Sequence, residues 1–442
     1  MTTPYQTKGL PSIRAGVAQR VITPPLGCCL AGYFHERIAE RVRDDLYCRV
    51  VVLGGDGGLL ALISCDLICF STEIATATRQ LVSEATGIPV DAVLLCATHT
   101  HTGPTMGKIS DLPVHREWLA DLPGRIAATA KQAADSMFAA TLFPGRREER
   151  MLGSNRLGRL PDGNEVFSKA GVLGAAGPID PEVLALGIRD EEGNLRGVVG
   201  NYPMHPDVIG GSSADFISAD WPGEVGRALS DIYGEQLVTV FLNGTCGDLN
   251  HRMWEPTRLP CGGPAKAVQM GRVMAADLLA AFETAEPLAA DAVEASVEIL
   301  DIPFFTRDEA FQQELAAIRA KPKDERAGWE GVILGASERW QMDGKIANVP
   351  VQTFRFGDLA FVGLPGEVFV KWGLEIKHWS PASHTFIAEL ANGWFGYIPT
   401  TDQAQRGAYG AKPILSRRLI ADGGRQVTDT VQTMLSRLWS DA

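Results

Sequence analysis

The sequence predicts an α/β fold with a mixed β-sheet core flanked by helices. Apolar runs of strand length at 48–53, 59–70 and 90–101 are separated by a Gly-rich turn at 54–58 and by a helical pattern at 71–86. The turn predicts an antiparallel hairpin, and the strand–helix–strand order that follows is typical of a parallel α/β unit. In such units the functional groups gather at the carboxyl ends of the strands.

The rest of the chain continues this alternation. Further strands are predicted at 15–18, 184–190, 197–202, 236–242, 359–364 and 386–390. Further helices are predicted at 117–139, 221–230, 264–284, 308–323 and 427–438. Because no repeat or low-complexity linker interrupts the pattern, we expect a flexible tail over residues 1–14 and a single domain over residues 15–442.

Composition and charge limit the kinds of function. The 442 residues carry a net charge of −12, which argues against a nucleic-acid-binding protein. No apolar segment reaches 18 residues, so no membrane span is expected, and the N-terminus lacks the apolar core of a secretory signal. A cytoplasmic protein is therefore expected, with its oligomeric state, including a homo-oligomer, left open. The eight cysteines show no C-x-x-C spacing, which favours buried free thiols over disulfides.

Two histidines mark the end of the strand predicted at 90–101. His99 and His101 precede Gly103-Pro104, and alternation along a strand places residues two apart on the same face. An imidazole pair at the edge of a sheet suits a zinc site or an acid/base pair, and it is also compatible with two polar residues satisfied in a turn. His205 follows the strand at 197–202, so a third histidine occupies a similar position.

Other polar groups follow the same rule. Glu367 lies on a tight turn after the strand at 359–364, and Asp66 interrupts an apolar run. Buried acids are rare unless they are paired or bind a metal, so Asp66 is either a structural hydrogen-bond acceptor or a group near the site. The aromatic, Gly-containing loop at 392–400 is typical of a pocket wall.

Six short motifs carry a resemblance to a known family. They are Thr98–Pro104 (THTHTGP), Gly153–Arg156 (GSNR), Asn201–Pro206 (NYPMHP), Gly244–Asp248 (GTCGD), Gly363–Glu367 (GLPGE) and Gly396–Thr400 (GYIPT). In this order they resemble the catalytic domain of the neutral/alkaline non-lysosomal ceramidases, zinc-dependent hydrolases of an N-acyl amide bond. The resemblance spans residues 15 to 438 and implies a neutral-ceramidase-like catalytic domain.

The resemblance also implies a site. The residues that would bind zinc are His99, His205, Glu367 and Tyr397. Tyr409 lies in the next loop and competes with Tyr397 for that place, and His101 and Arg156 would lie beside the metal. We further expect Asp66 or Asp248 to orient a ligand histidine.

The chain departs from the family pattern at two points. Asn250 stands about where the characterised ceramidases carry a serine, and no C-terminal immunoglobulin-like domain is expected here. We therefore expect the substrate to be a soluble amide rather than ceramide, while the metal centre is retained.

The resulting hypothesis is a zinc-dependent amidase in which zinc-bound hydroxide attacks the amide carbonyl. His101 and Tyr397 would stabilise the oxyanion, His101 would pass a proton to the leaving amine, and Arg156 would hold an anionic or carbonyl group. An esterase or lactonase would use the same zinc centre, so the expected partner is a small amide or ester. A cysteine hydrolase built on Cys246, with His251 as its base, and a non-catalytic zinc- or ligand-binding protein are the remaining alternatives.

Overall fold

The structure, a computed structural model, describes residues 12–107, 112–167, 171–251, 254 and 260–440. Within these residues two β-sheets stack face to face, and helices cover the outer face of each sheet. The predicted α/β class with a mixed sheet flanked by helices is confirmed. Of the predicted tail, residues 1–11 lie outside the described residues, and Arg14 already begins the first strand.

The larger sheet has eight strands among the described residues. In spatial order they are Val238–Asn243, Leu195–Tyr202, Glu182–Asp190, Phe138–Glu148, Arg14–Val21, Tyr47–Gly55, Gly58–Cys65 and Val93–Ala97. The two strands at each end pair in parallel, and all pairs between them are antiparallel. Both parallel pairs are joined through a helix, as a parallel connection requires.

The smaller sheet has four strands in the order Val293–Pro303, Ile346–Phe356, Leu359–Gly363 and His384–Ala388. Its first two strands were not predicted. Val293–Pro303 carries exposed and charged residues along much of its length, and Ile346–Phe356 is mostly buried but interrupted by Asn348, Pro350 and Gln352, so the apolar signal of both is weak. Shorter ladders pair Arg41–Val42 with Phe216–Ile217, Gly153–Asn155 with Leu249–His251, and Glu367–Val368 with Tyr397–Ile398, and a small three-stranded ladder joins Gly174–Ala175, Gly158–Arg159 and Glu165–Val166.

The helices form two groups and a cap. Those on the larger sheet are Thr72–Thr86, Arg116–Asp135, Asp220–Tyr233 and Pro264–Glu283, and those on the smaller sheet include Val370–Trp379 and Gly423–Ser440. The segment between the first two strands of the smaller sheet carries Glu309–Ala320 and Gly328–Arg339, which share a small apolar core of their own. We call this segment, residues 304–345, the helical cap. A short helix at Thr401–Gln405 follows the aromatic loop.

Alternation along the strands divides the core into layers. In Glu182–Asp190, Leu184 and Leu186 face the space between the sheets, whereas Val183 packs against the helix Pro264–Glu283. Phe361 and Phe386 stack on each other 5.0 Å apart between the sheets. The fold is thus a four-layer stack of helices, sheet, sheet and helices.

Asn201 joins the two sheets through hydrogen bonds. Its Nδ2 donates to the carbonyl oxygens of Leu242, at 2.7 Å in the larger sheet, and of Ile387, at 2.8 Å in the smaller sheet. Its Oδ1 accepts the N–H of Ile387 at 3.2 Å. Because Asn201 is only 2% exposed, water cannot replace these contacts. This crosslink lies four residues before His205.

Several predicted boundaries differ from those observed. The strand predicted at 59–70 ends at Cys65, where the chain turns, and the strand predicted at 90–101 ends at Ala97. The helix predicted at 117–139 ends at Asp135, because its last residues belong to the next strand. The expectation of thiols rather than disulfides is confirmed: all eight cysteines lie in the described part of the chain, none forms a disulfide there, and seven of them are buried. Among the described residues, no helix is long and apolar enough to cross a membrane.

Replacing Asn201 by leucine should destabilise the protein strongly. The change removes three buried hydrogen bonds, which costs roughly 3 kcal/mol or more of the free energy of unfolding. A clearly lower urea midpoint is expected for Asn201→Leu. The matched control is Asn348→Leu, at an exposed strand position, which should leave the free energy of unfolding within about 0.5 kcal/mol of wild type. Equal midpoints for the two variants would show that the crosslink contributes little.

Candidate metal centre

His99 lies in a loop and not in the strand that precedes it. Its φ of 76° is in the left-handed region, so strand alternation does not apply here. The loop is held by the His99 N–H, which donates to the Leu67 carbonyl at 2.8 Å, and by the ring Nδ1, which lies 2.7 Å from the Ile68 carbonyl. His99 and His101 nevertheless face one space, with their Nε2 atoms 3.4 Å apart.

His205 completes a cluster of three imidazoles. It follows the strand Leu195–Tyr202, and its Nε2 lies 3.2 Å from the Nε2 of His99. One ring nitrogen from each of His99, His101 and His205 lies within 4.8 Å of the others, and this cluster could hold a metal ion. His99 and His205 are buried, and His101 is partly exposed.

Glu367 adds a carboxylate to the cluster. Its Oε2 lies 3.4 Å from the Nε2 of His99, and the indole N–H of Trp394 donates to Oε1 at 3.0 Å. Burial by itself would raise the pKa of Glu367, but His99 and the hydrogen bonds from Tyr397 and Trp394 outweigh it and lower the pKa to about 2. Glu367 is therefore ionised at neutral pH.

The donor atoms at the centre of this cluster fit a cation. The Ile68 carbonyl can only accept, so the Nδ1 of His99 carries a proton, and in the neutral ring its Nε2 then presents a lone pair. That nitrogen faces a carboxylate oxygen of Glu367 at 3.4 Å and the Nε2 of His205 at 3.2 Å. Facing acceptors repel unless a shared proton or a metal cation lies between them. Imidazole nitrogens with one carboxylate are also a donor set that zinc prefers.

Tyr397 and Arg156 lie beside this cluster. Tyr397 is brought to Glu367 by the short parallel ladder in which the two residues pair directly. The Nη1 of Arg156 donates to the hydroxyl of Tyr397 at 3.3 Å and to the Gly247 carbonyl at 3.2 Å. The ring of Tyr409 stacks on the guanidinium at 4.1 Å and is about half exposed. Of the two tyrosines, Tyr397 is the one hydrogen-bonded to Glu367.

The two acids that were expected to orient a ligand histidine have other partners. Asp66 accepts hydrogen bonds from the Tyr47 N–H and from Arg49 and Thr98, and Asp248 accepts them from the Val370 N–H and from Asn155. In the described part of the chain neither carboxylate contacts a histidine: the Nδ1 of His99 meets the Ile68 carbonyl, and the Nδ1 of His205 meets Cys246. Both acids instead anchor the loops that carry site residues.

Asn250 and Asp207 form a polar cavity next to the histidines. The Nδ2 of Asn250 donates to Asp207 at 3.0 Å, and Arg156 approaches the same carboxylate oxygen within 3.9 Å. Asn250 and Asp207 line a space of about 340 Å³ together with Tyr33 and His251. Asp207 was not among the predicted residues, although it lies only two positions after His205.

A larger and more apolar cavity of about 690 Å³ lies under the helical cap. Its walls include Phe304, Val332, Ala336, Trp340, Ile346, Phe395 and Leu415, with Arg339, Lys345 and Arg418 as its cationic residues. Tyr33 and Trp394 also line it, and these two residues contact the site: the Tyr33 ring lies 5.7 Å from that of His101, and Trp394 donates to Glu367. These two side chains therefore lie between the cavity and the histidine cluster.

Asn243 is a site residue that sequence reasoning missed. Its Nδ2 donates to the carbonyl of Thr98, just before His99, at 3.2 Å, and its Oδ1 accepts the N–H of Met204, just before His205, at 3.1 Å. One buried amide thus sets the spacing of the two histidine segments. The signal available in the sequence was weak: a polar residue at the end of a strand, before a glycine.

Cys246 lacks the features of a nucleophile. Its side chain is fully buried, and burial together with Glu389 raises the pKa of the thiol well above its usual value. A nucleophilic cysteine needs the opposite shift. His251, its predicted base, pairs with Asp207 at 3.4 Å instead. The structure therefore argues against the cysteine-hydrolase alternative.

The fold and this geometry can be compared with known proteins. No family model matches the chain, and no curated protein matches it by sequence. Two solved structures share its fold. Neutral ceramidase from Pseudomonas aeruginosa aligns with a TM-score of 0.75 at 18% identity, covering 97% of this chain and 74% of that one. A ceramidase complexed with C2 aligns with a TM-score of 0.73 at 17% identity, covering 97% of this chain and 75% of that one. The chain therefore has a neutral-ceramidase-like fold over nearly all of its length.

Proposed function

We propose that this protein is a zinc-dependent hydrolase that cleaves the amide bond of an N-acyl compound. The observation that carries the proposal is the cluster of ring nitrogens from His99, His101 and His205, with the Glu367 carboxylate 3.4 Å from His99. The fold shared with ceramidases supports amide chemistry at that point. Because Asn250 lies in the polar cavity where a serine would be expected, the proposed substrate is a soluble amide rather than ceramide.

His99, His205 and Glu367 would hold the metal, with Tyr397 beside Glu367. A bound zinc ion supplies Lewis acidity toward an acyl oxygen and lowers the pKa of a coordinated water to about 7. The protein groups around the site would bind the substrate, stabilise charge and move protons.

His101 is the proposed proton carrier. Burial and the neighbouring His99 lower the pKa of His101 to about 3, so its imidazole is neutral at pH 7 and begins as a proton acceptor. It would take a proton from the attacking water and deliver it to the leaving amine. The Nε2 of His101 and the Oε2 of Glu367 both lie 3.4 Å from the Nε2 of His99. The His101 ring could therefore alternatively serve as a metal ligand.

Arg156 and Tyr397 are the proposed groups for the acyl oxygen. The guanidinium is held on three sides by the Gly247 carbonyl, the Tyr397 hydroxyl and the Tyr409 ring. Burial raises the pKa of Tyr397 well above its usual value, so its phenol stays protonated; its hydrogen bonds to Glu367 and would turn to the acyl oxygen once Glu367 held the metal. The Arg156 guanidinium, held by these contacts, is a fixed donor that can stabilise an oxyanion without reorganisation.

The cavity under the helical cap is the proposed place for the acyl group. It combines a largely apolar lining with two wall residues that contact the site, Tyr33 against His101 and Trp394 against Glu367. A volume of about 690 Å³ is within the range of pockets that enclose a drug-sized ligand. The polar cavity around Asp207 would then receive the amine side of the substrate.

Removal of the metal should abolish hydrolysis. We expect the purified protein to carry close to one zinc ion per chain, and amide hydrolysis to disappear with a chelator and return with added zinc. His99→Ala should lose both the zinc and the activity, because it removes the lone pair that faces two other ligands. Zinc content by elemental analysis and hydrolysis of matched amide and ester substrates measure the outcome.

The exposed His378 provides a control, and His378→Ala should keep both zinc and activity. Full activity of His99→Ala would refute the proposal. Hydrolysis of the ester alone would identify an esterase or lactonase, and zinc without any hydrolysis would identify a binding protein.

Arg156→Lys should lower kcat/KM roughly 10- to 100-fold. Lysine cannot reproduce a planar donor that contacts Gly247 and Tyr397 while stacking on Tyr409. Steady-state kinetics on the best amide substrate measure the loss. Arg437→Lys, at a largely exposed ion pair with Glu298, is the control and should match wild type. Unchanged kcat/KM for Arg156→Lys would make Arg156 a structural residue only.

Ala336→Trp should shorten the acyl group that the enzyme accepts. The larger side chain enters the cavity from the helix Gly328–Arg339, so kcat/KM for a dodecanoyl amide should fall roughly tenfold or more, while that for an acetyl amide stays near wild type. The control is Ala320→Trp, at an exposed position of the neighbouring cap helix. Equal losses on both substrates would place the acyl group elsewhere.

A further inference from the structure

A thiol and a carboxyl group lie behind His205, on its Nδ1 side. The Sγ of Cys246 is 3.6 Å from that nitrogen, and Cys246 Sγ in turn donates to the Oε1 of Glu389 at 2.9 Å. Both side chains have no exposed surface, and Glu389 lies at the end of the last strand of the smaller sheet. From the sequence, Cys246 is interpreted only as a possible nucleophile, and Glu389 is not among the predicted site residues.

The direction of each hydrogen bond follows from the partners. When Glu389 is ionised it takes the thiol hydrogen, so Cys246 can only accept from His205, which places the ring proton of His205 on Nδ1. Its Nε2 then presents a lone pair toward His99, 3.2 Å away. Both histidines therefore turn an unprotonated Nε2 toward the same point, although different groups hold their protons: a backbone carbonyl for His99 and a thiol for His205.

Glu389 also joins two segments that carry proposed ligands. Its Oε2 accepts the backbone N–H of Cys246 at 3.1 Å and that of Val368 at 2.9 Å. Val368 follows Glu367 directly, and Cys246 contacts His205. One carboxyl group thus spans the His205 side and the Glu367 side of the site. Its own N–H donates to the carbonyl of Asn243, the residue that spaces His99 and His205.

We infer that Cys246 and Glu389 are positioning residues that orient His205 and fix its distance from Glu367, and so determine metal affinity. The inference rests on the proposed function, because it presumes that these ligands hold a metal ion. It separates two tasks. The thiol sets the tautomer and ring orientation of His205, and the carboxyl group sets the spacing of the two segments.

Two measurements test the inference. Chelator competition gives the affinity for zinc, and the visible spectrum of the cobalt(II)-loaded protein reports the ligand geometry. Cys246→Ala removes the partner of His205 but leaves Glu389 bridging both backbone groups. We expect its metal dissociation constant to rise about 10- to 100-fold and its cobalt spectrum to change. Cys246→Ser should recover part of the affinity, because a hydroxyl can accept from His205 and donate to Glu389.

Glu389→Gln keeps an oxygen for the two backbone N–H groups and loses the acceptor of the thiol hydrogen. It should therefore weaken metal binding by a similar factor. Two buried residues away from the histidines are the matched controls: Cys48→Ala replaces a fully buried thiol, and Glu330→Gln replaces a buried carboxyl group in the helical cap. Both controls should bind metal as wild type does.

Wild-type affinity and spectrum in both Cys246→Ala and Glu389→Gln would overturn the inference. So would an affinity loss that Cys48→Ala shares, since it would reflect general damage to the core. If Glu389→Gln does not fold, the comparison of alanine and serine at Cys246 still decides. A wild-type protein that binds neither zinc nor cobalt would instead refute the proposed function.

Discussion

The candidate site depends on one constraint: lone pairs from separate parts of the chain face one another in a buried space. The Nε2 of His99 lies 3.2 Å from the Nε2 of His205 and 3.4 Å from a carboxylate oxygen of Glu367. Such an arrangement is unfavourable in the absence of a cation, so it persists only if the surrounding structure holds it. Buried hydrogen bonds to backbone groups provide that hold, and most of them come from Asn243 and Glu389.

The same hydrogen bonds explain why the two-sheet stack and the site are one structure. Asn201 links the sheets at the end of the strand that leads to His205, and Glu389 ends the strand that packs opposite it. The proposed ligands therefore lie where both sheets end, as expected for a site at the carboxyl ends of strands. A change in how the sheets stack would displace the His205 and Glu367 segments relative to each other.

Two cavities of different character lie next to the histidine cluster. The one around Asp207 is polar and small, and the one under the helical cap is larger and mostly apolar, with three cations in its lining. Tyr33 belongs to both and packs against His101. This arrangement suits a substrate with a small polar end and a longer apolar end whose scissile bond lies beside the histidines. The helical cap forms one wall of the larger cavity, so it is the part of the chain best placed to determine acyl preference.

The α/β class, most helices and the residue types of the site could be predicted from the sequence, because periodicity, turn residues and strand ends are local properties. Even there, the reason for grouping His99 with His101 was incorrect, since a left-handed loop and not a strand brings them together. The rule that singled out the buried acid Asp66 applied equally to Glu389, but nothing local distinguished an acid that anchors a loop from one that spans two ligand segments. The second sheet, the partners of each imidazole and the two cavities could be seen only in the folded structure. These features consist of contacts between residues far apart in the chain, such as Glu389 with Cys246 and Tyr33 with His101, and no pattern within a short window specifies them.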